Sequence, residues 1–216
     1  MVDSSKKETL NIETFVVGPF QMNTYLVSDP DSGESLLIDP GGDLPRIAAR
    51  IQKDNLKIKY IINTHCHIDH AAQGYAAQKE FKAPLLIHKN ELPLLESLKE
   101  QGLTFGIEIS GIPQDLTFIK DQDKIEFGNK TATILYTPGH SPGGISIYIK
   151  AHVFVGDCLF MDSIGRTDLY KGDYQQLINS IKGKLLVLDD ETEVYPGHGP
   201  KTTIGREKRF NPFLQE

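Results

Sequence analysis

Three of the seven histidines in this 216-residue chain crowd into one hexapeptide, His65-Cys66-His67-Ile68-Asp69-His70. No other feature constrains the fold as much. Burying imidazoles and a carboxylate together is costly unless something compensates them, and a cation does so directly. A lone histidine is commonly a surface or internally satisfied residue. Three with an aspartate in six positions point to a metal site. The hexapeptide follows an apolar run, Ile58 to Ile62, that reads as a strand buried on both faces. A helical pattern comes after it, so the cluster falls on a loop at a strand's C-terminal end, where α/β sheets gather functional groups. In extended backbone His65 and His67 point the same way. The turn into the helix aims Asp69 and His70 elsewhere, so one peptide offers two adjacent ligand sets.

The rest of the chain is organised around that strand and loop. Ile12 to Val17, Met22 to Ser28 and Ser35 to Ile38 read as strands, with Pro30, Asp31 and Gly33 as turn signals between the last two. Asp43 to Lys53 reads as an amphipathic helix, because Leu44, Ile47, Ala48 and Ile51 recur at helical spacing. A helix over Ala71 to Phe81, a strand over Pro84 to Ile87 and a helix over Asn90 to Lys99 follow. Residues 102–115 are rich in Gly and Pro and read as a loop or lid. Strands are expected at Lys124 to Phe127, Thr131 to Tyr136, Ile145 to Ile149, Val153 to Val155 and Glu193 to Tyr195, with helices at Asp173 to Ile181 and Thr203 to Phe210. Strands dominate and helices are interspersed, which fits an α/β fold of stacked sheets with helices outside. Residues 1–10 read as a flexible tail and residues 11–216 as one domain.

Composition excludes several classes. No segment approaches the ~20 apolar residues a membrane helix needs. The polar first ten residues lack the apolar centre of a signal peptide. Two cysteines, Cys66 and Cys158, cannot build a disulfide framework, so a reducing, cytoplasmic setting is expected. With 23 Lys plus Arg against 29 Asp plus Glu the net charge is -6, and the basic footprint of a nucleic-acid binder is absent.

Three further segments each place one His or Asp on a Gly-containing loop after a strand: Thr137 to Gly144 with His140, Val155 to Cys158 with Asp157, and Tyr195 to Pro200 with His198. Glycine lets backbone turn sharply and approach a ligand closely. Each loop alone could be an ordinary turn, but together with the hexapeptide they reinforce a metal reading.

The pattern His-x-His-x-Asp-His, followed in order by His140, Asp157 and His198, resembles the metallo-β-lactamase superfamily, and the likeness spans about Ile12 to Leu214. Thr-Pro-Gly-His-Ser-Pro-Gly-Gly, Gly-Arg-Thr-Asp at 165–168 and Asn-Pro-Phe-Leu at 211–214 are most similar to short-form glyoxalase II, the hydroxyacylglutathione hydrolases. The resemblance implies an αββα sandwich of two mixed β-sheets flanked by helices. It implies His65, His67 and His140 around one divalent ion, Asp69, His70 and His198 around a second, and Asp157 bridging both. Asp39 matches an aspartate that supports the histidine cluster from outside. Arg166 falls where the family places a basic substrate-binding residue, and Arg206, Lys208 and Arg209 could steer an anion or be salt-bridged surface. His88 and His152 match no ligand position. Cys66 reads as a small filler between ligands and Cys158 as a core residue.

Two ions sharing a water bring its pKa from ~15.7 to about 7 and can stabilise an oxyanion. Asp69 is expected to steer that hydroxide or accept its proton. A thiol leaving group with a pKa near ~8.5 departs without a strong general acid. The implied activity is therefore hydrolysis of a small anionic thioester such as S-lactoylglutathione. Only 18 residues follow His198, so most of the helical domain with which long-form relatives hold glutathione is absent. Histidine and carboxylate ligands suit Zn, Fe or Mn, with zinc the default for redox-free hydrolysis. The alternatives are a persulfide dioxygenase with one non-haem iron on His65, His140 and Asp157, a lactonase or β-lactamase-like hydrolase, and a metal-binding module without turnover. A monomer or homodimer is expected, without nucleic-acid or membrane partners.

Overall fold

The computed structural model describes residues 10–215. Apart from Leu10, the expected tail lies outside the described residues. Strands β1 (Asn11–Val17), β2 (Met22–Ser28) and β3 (Glu34–Ile38) pair antiparallel in succession. Helix α1 (Leu44–Lys53) returns the chain to β4 (Lys57–Ile62), parallel to β3. Helices α2 (Ile68–Ala71) and α3 (Gly74–Phe81) lead to β5 (Leu85–His88). A short 3-10 turn (Lys89–Glu91), α4 (Leu92–Glu96) and α5 (Leu98–Phe105) lead to β6 (Leu116–Ile119). Both strands add in parallel, which closes a six-stranded sheet in chain order.

The second sheet begins as an antiparallel meander of β7 (Lys124–Phe127), β8 (Lys130–Tyr136), β9 (Ile145–Ile149) and β10 (His152–Gly156). A small hairpin, β11 (Leu159–Phe160) and β12 (Ser163–Ile164), and helix α6 (Tyr174–Ser180) follow. Then β13 (Glu193–Pro196) lies parallel to β10, and β14 (Thr202–Thr203) pairs outside it before α7 (Ile204–Phe210). The order is β14-β13-β10-β9-β8-β7.

Side-chain alternation assigns the layers. In β3, Leu36 and Ile38 face the second sheet while Leu37 faces helices; in β10, Phe154 faces the first sheet while Val153 and Val155 face away. The central core thus joins Tyr25, Leu36 and Ile62 to Phe127, Ile134 and Phe154. Leu44, Ile47, Ala77, Leu95 and Leu98 cover the first sheet's outer face, and Leu177, Ile181 and Ile204 cover the second's. This is the αββα sandwich of two mixed sheets. It explains why the central strands read as nearly unbroken apolar runs: both faces are covered.

Several elements differ from expectation. The helix expected from Ala71 starts at Ile68 and breaks before Gly74, where the Gln73 amide donates to Pro40 O at 2.9 Å. The helix expected over Asn90 to Lys99 is three pieces, with Pro93 in the first turn of α4 and a break at Ser97. The expected loop at 102 is helical as far as Phe105, because Gly102 lets α5 press against Ile107, whose O would lie 2.5 Å from a Cβ there. Strand β6, four residues with two exposed, carries too little pattern to be seen without its partner.

Candidate metal centre

Five strand ends build the site. β3 and β4 run parallel, so Asp39 after the first and His65 after the second leave the same edge. β8 and β10 share a direction because each is antiparallel to β9, and β13 is parallel to β10. Their ends deliver His140, Asp157 and His198. His67 stands just before α2, and Asp69 and His70 ride on its single turn. The two sheets meet across the site, where His67 Nδ1 lies 3.0 Å from His140 Nε2 and His198 Nε2 lies 3.1 Å from Asp69 Oδ2.

Three overlapping groups have ligand atoms within 4.8 Å of one another: His65, His67 and His140; His65, His70 and Asp157; and Asp69, His70 and His198. Asp157 lies between them. Its Oδ1 is 3.3 Å from His70 Nε2, and its Oδ2 is 3.7 Å from His140 Nε2 and 3.6 Å from His198 Nε2. Gly197 makes this approach possible, since a Cβ there would collide with Asp157 and with His70.

The outward nitrogens are occupied. His70 Nδ1 meets Asp39 Oδ2 at 3.0 Å, His140 Nδ1 meets Arg166 O at 2.7 Å, and His198 Nδ1 meets Phe20 O at 3.2 Å. His65 Nδ1 lies 3.2 Å from Thr64 Oγ1, which itself donates to Asp39 Oδ2 at 2.7 Å. Such contacts fix ring orientation and tautomer. They leave Nε2 of these four rings facing the centre. By contrast, the buried His65 Nε2, His70 Nε2 and Asp157 Oδ1 have no hydrogen-bond partner. Buried polar atoms are rarely left so. Nitrogen and oxygen donors converging without partners fit divalent cations.

The electrostatics without metal are divided. Burial, reinforced by His70 and His67, pushes the His65 imidazole well below its ordinary range. Burial and then His140 push His67 down to about 3. Burial would lower His70 too, but Asp157, Asp69 and Asp39 hold it above its ordinary value. Burial would raise the Asp157 carboxyl, yet His70 and His140 keep it low.

Other sequence-selected residues stand apart. The Arg166 guanidinium makes two 2.7 Å bonds to Asp168, both side chains being well exposed. On α7, Arg206 pairs with Asp162 and Glu207, and Lys208 and Arg209 with Asp190. His88 stacks on Tyr136 at 4.4 Å, and His152 lies 3.3 Å from Glu193. Cys66 and Cys158 are buried, and desolvation raises both thiols, the latter to about 12.

Two residues escaped the sequence reading. Thr64 links Asp39 to His65. Glu91, wholly buried, accepts from Cys66 N at 2.7 Å, Ser141 Oγ at 2.7 Å and Gly143 N at 2.6 Å. A signal for it existed: Glu91, Leu94, Leu95 and Leu98 share one helical spacing, which puts a carboxylate on an apolar face.

A cage of imidazoles and carboxylates at the joined edges of two helix-covered sheets defines a candidate centre for divalent metal ions. The Metallo-beta-lactamase superfamily profile matches residues 17–198, and the chain belongs to that superfamily. The protein described as Hydroxyacylglutathione hydrolase GloC of Haemophilus influenzae is 39% identical over 209 residues, covering 95% of this chain and 98% of that one. BLEG-1, described as a B3 metallo-beta-lactamase, superposes with a TM-score of 0.87 at 35% identity, covering 95% of this chain and 100% of that one. TTHA1623 in a di-iron-bound form gives 0.85 at 37% identity, covering 94% and 100%.

Proposed function

We propose that the chain is a thioester hydrolase acting on a small anionic S-acyl thiol of the S-lactoylglutathione type. The observation that carries the reading is the complete double ligand set, joined to 39% identity with the Haemophilus influenzae GloC protein along nearly its whole length. In this reading His65, His67 and His140 would hold one divalent ion and Asp69, His70 and His198 a second, with Asp157 as a donor available to both. Zinc is the first choice; likeness to a di-iron structure makes iron the second. Bound divalent ions supply Lewis acidity and an acidified water at neutral pH.

The protein's own groups do the remaining work. Asp69, whose Oδ2 lies 3.1 Å from His198 Nε2, would orient the water or take its proton. Asp39 anchors His70 and, through Thr64, His65. Arg166 can receive a substrate carboxylate by exchange with Asp168, because water screens an exposed pair of this kind and little is lost in breaking it. A thiolate leaves unaided, so no strong acid is needed opposite the water.

A mononuclear iron dioxygenase on His65, His140 and Asp157 would leave the 3.1 Å His198–Asp69 contact without a task. Likeness to BLEG-1 supports a β-lactam as second substrate class. The test is metal analysis of purified protein together with assays of S-lactoylglutathione, a lactone, a β-lactam and a persulfide with oxygen readout. Two ions per chain and thioester cleavage are expected. One iron with oxygen uptake, or β-lactam cleavage alone, sinks the proposal.

A further inference from the structure

Glu91 is a buried carboxylate with three donors and no cation. It lies at 0% exposure in the turn between β5 and α4. Oε2 accepts from the Cys66 amide, and Oε1 accepts from the Ser141 hydroxyl and the Gly143 amide. The Cys66 and Gly143 amides can only donate and favour the ionised carboxylate, while burial pushes the Glu91 carboxyl up against them. Among the described residues no Lys, Arg or His is ion-paired with it, and the Asp39 carboxylate adds to the effect of burial. A buried charge without a counter-charge is strongly unfavourable.

The partners lie in two places only. Cys66 sits between His65 and His67, and Ser141 and Gly143 follow His140. Glu91 therefore ties together the two backbone segments that carry the three-histidine group, one from each sheet. The tie is close: a Cβ on Gly143 would lie 2.8 Å from Glu91 Cγ. Asp39 holds the other side, through Thr64 and His70.

We infer that Glu91 is a positioning residue and buried counter-charge for the ion held by His65, His67 and His140, acting through backbone and hydroxyl donors without touching metal or substrate. The inference rests on the metal-centre reading above. It has two consequences. Neutralising Glu91 weakens the ion at the three-histidine group and spares the ion at Asp69, His70 and His198. It also relieves the metal-free protein of an uncompensated charge.

The test titrates Zn2+ against a competing chelator and measures Tm with and without Zn2+ in wild-type and Glu91→Gln protein. Glu91→Gln is expected to weaken one of two Zn2+ affinities at least tenfold and the other less than threefold. The Zn2+-induced rise in Tm shrinks, while the metal-free Tm falls no more than the loaded one. Equal losses of Tm in both forms with both affinities unchanged would show plain scaffolding and overturn the inference. Ser141→Ala, which removes one donor and keeps the carboxylate, decides the matter if Glu91→Gln does not fold. Weakening of the same single affinity supports the inference, and two unchanged affinities overturn it. Wild-type protein that binds no Zn2+ would instead defeat the metal-centre reading itself.

Discussion

Asp157 faces nitrogens from three loops, at 3.3 Å from His70, 3.7 Å from His140 and 3.6 Å from His198. In the proposed centre it would serve both ions, so its removal would weaken both at once. Asp157→Ala is expected to abolish metal binding by elemental analysis and to lower kcat/KM by more than the ~10–100-fold that loss of an outer partner costs. Retained stoichiometric metal would remove the bridging assignment. His67 carries a pH prediction. Burial and His140 push its imidazole down to about 3, whereas the unfolded chain titrates near ~6.5. Between these values the unfolded state binds the extra proton, so this residue's contribution to metal-free stability is present above ~6.5 and is lost as pH falls. In chelator, the Tm drop from pH 7 to pH 5 should be smaller for His67→Asn than for wild type; an equal drop would show that His67 does not titrate this way. At this scale the clustered donors that the structure brings together were legible, because metal chemistry admits few residue types. Thr64 carried no such signal, and the helical spacing of Glu91 marked it as a buried carboxylate without saying what it would meet.

Elements divide along the same line. Strands covered on both faces announce themselves as apolar runs, and β3, β4 and β10 lie where the pattern put them. The two helical stretches after the histidine loop are broken, the first of them where the Gln73 amide bonds to Pro40 O, which no local periodicity records. Helix α6 provides a control. Its Asp173 side chain accepts from Gln176 N at 2.9 Å, satisfying one amide of the first turn. Asp173→Ala should cost ~0.5–2 kcal/mol in denaturant unfolding. Metal content should stay unchanged, and a loss of metal would mean that α6 positions the His140 loop more tightly than its cap implies.

For the whole molecule, the proposed metals are ties between layers. His65, His67, Asp69 and His70 come from the first sheet, and His140, Asp157 and His198 from the second. Ligands that bind only the folded state stabilise it by mass action, ~2.7 kcal/mol per site at a hundredfold excess over Kd. Chelation should therefore lower wild-type Tm and leave Asp157→Ala almost unmoved; equal shifts in both would point to an ion bound elsewhere. The sequence alone determined which donors exist and that each follows a strand, because coordination chemistry and burial restrict residue type and spacing locally. Only the tertiary structure decided which donors face each other, and that Glu91 joins groups 25 to 52 residues away. The physical reason is that orientation across two sheets is set by their packing, and packing is a property of no single segment.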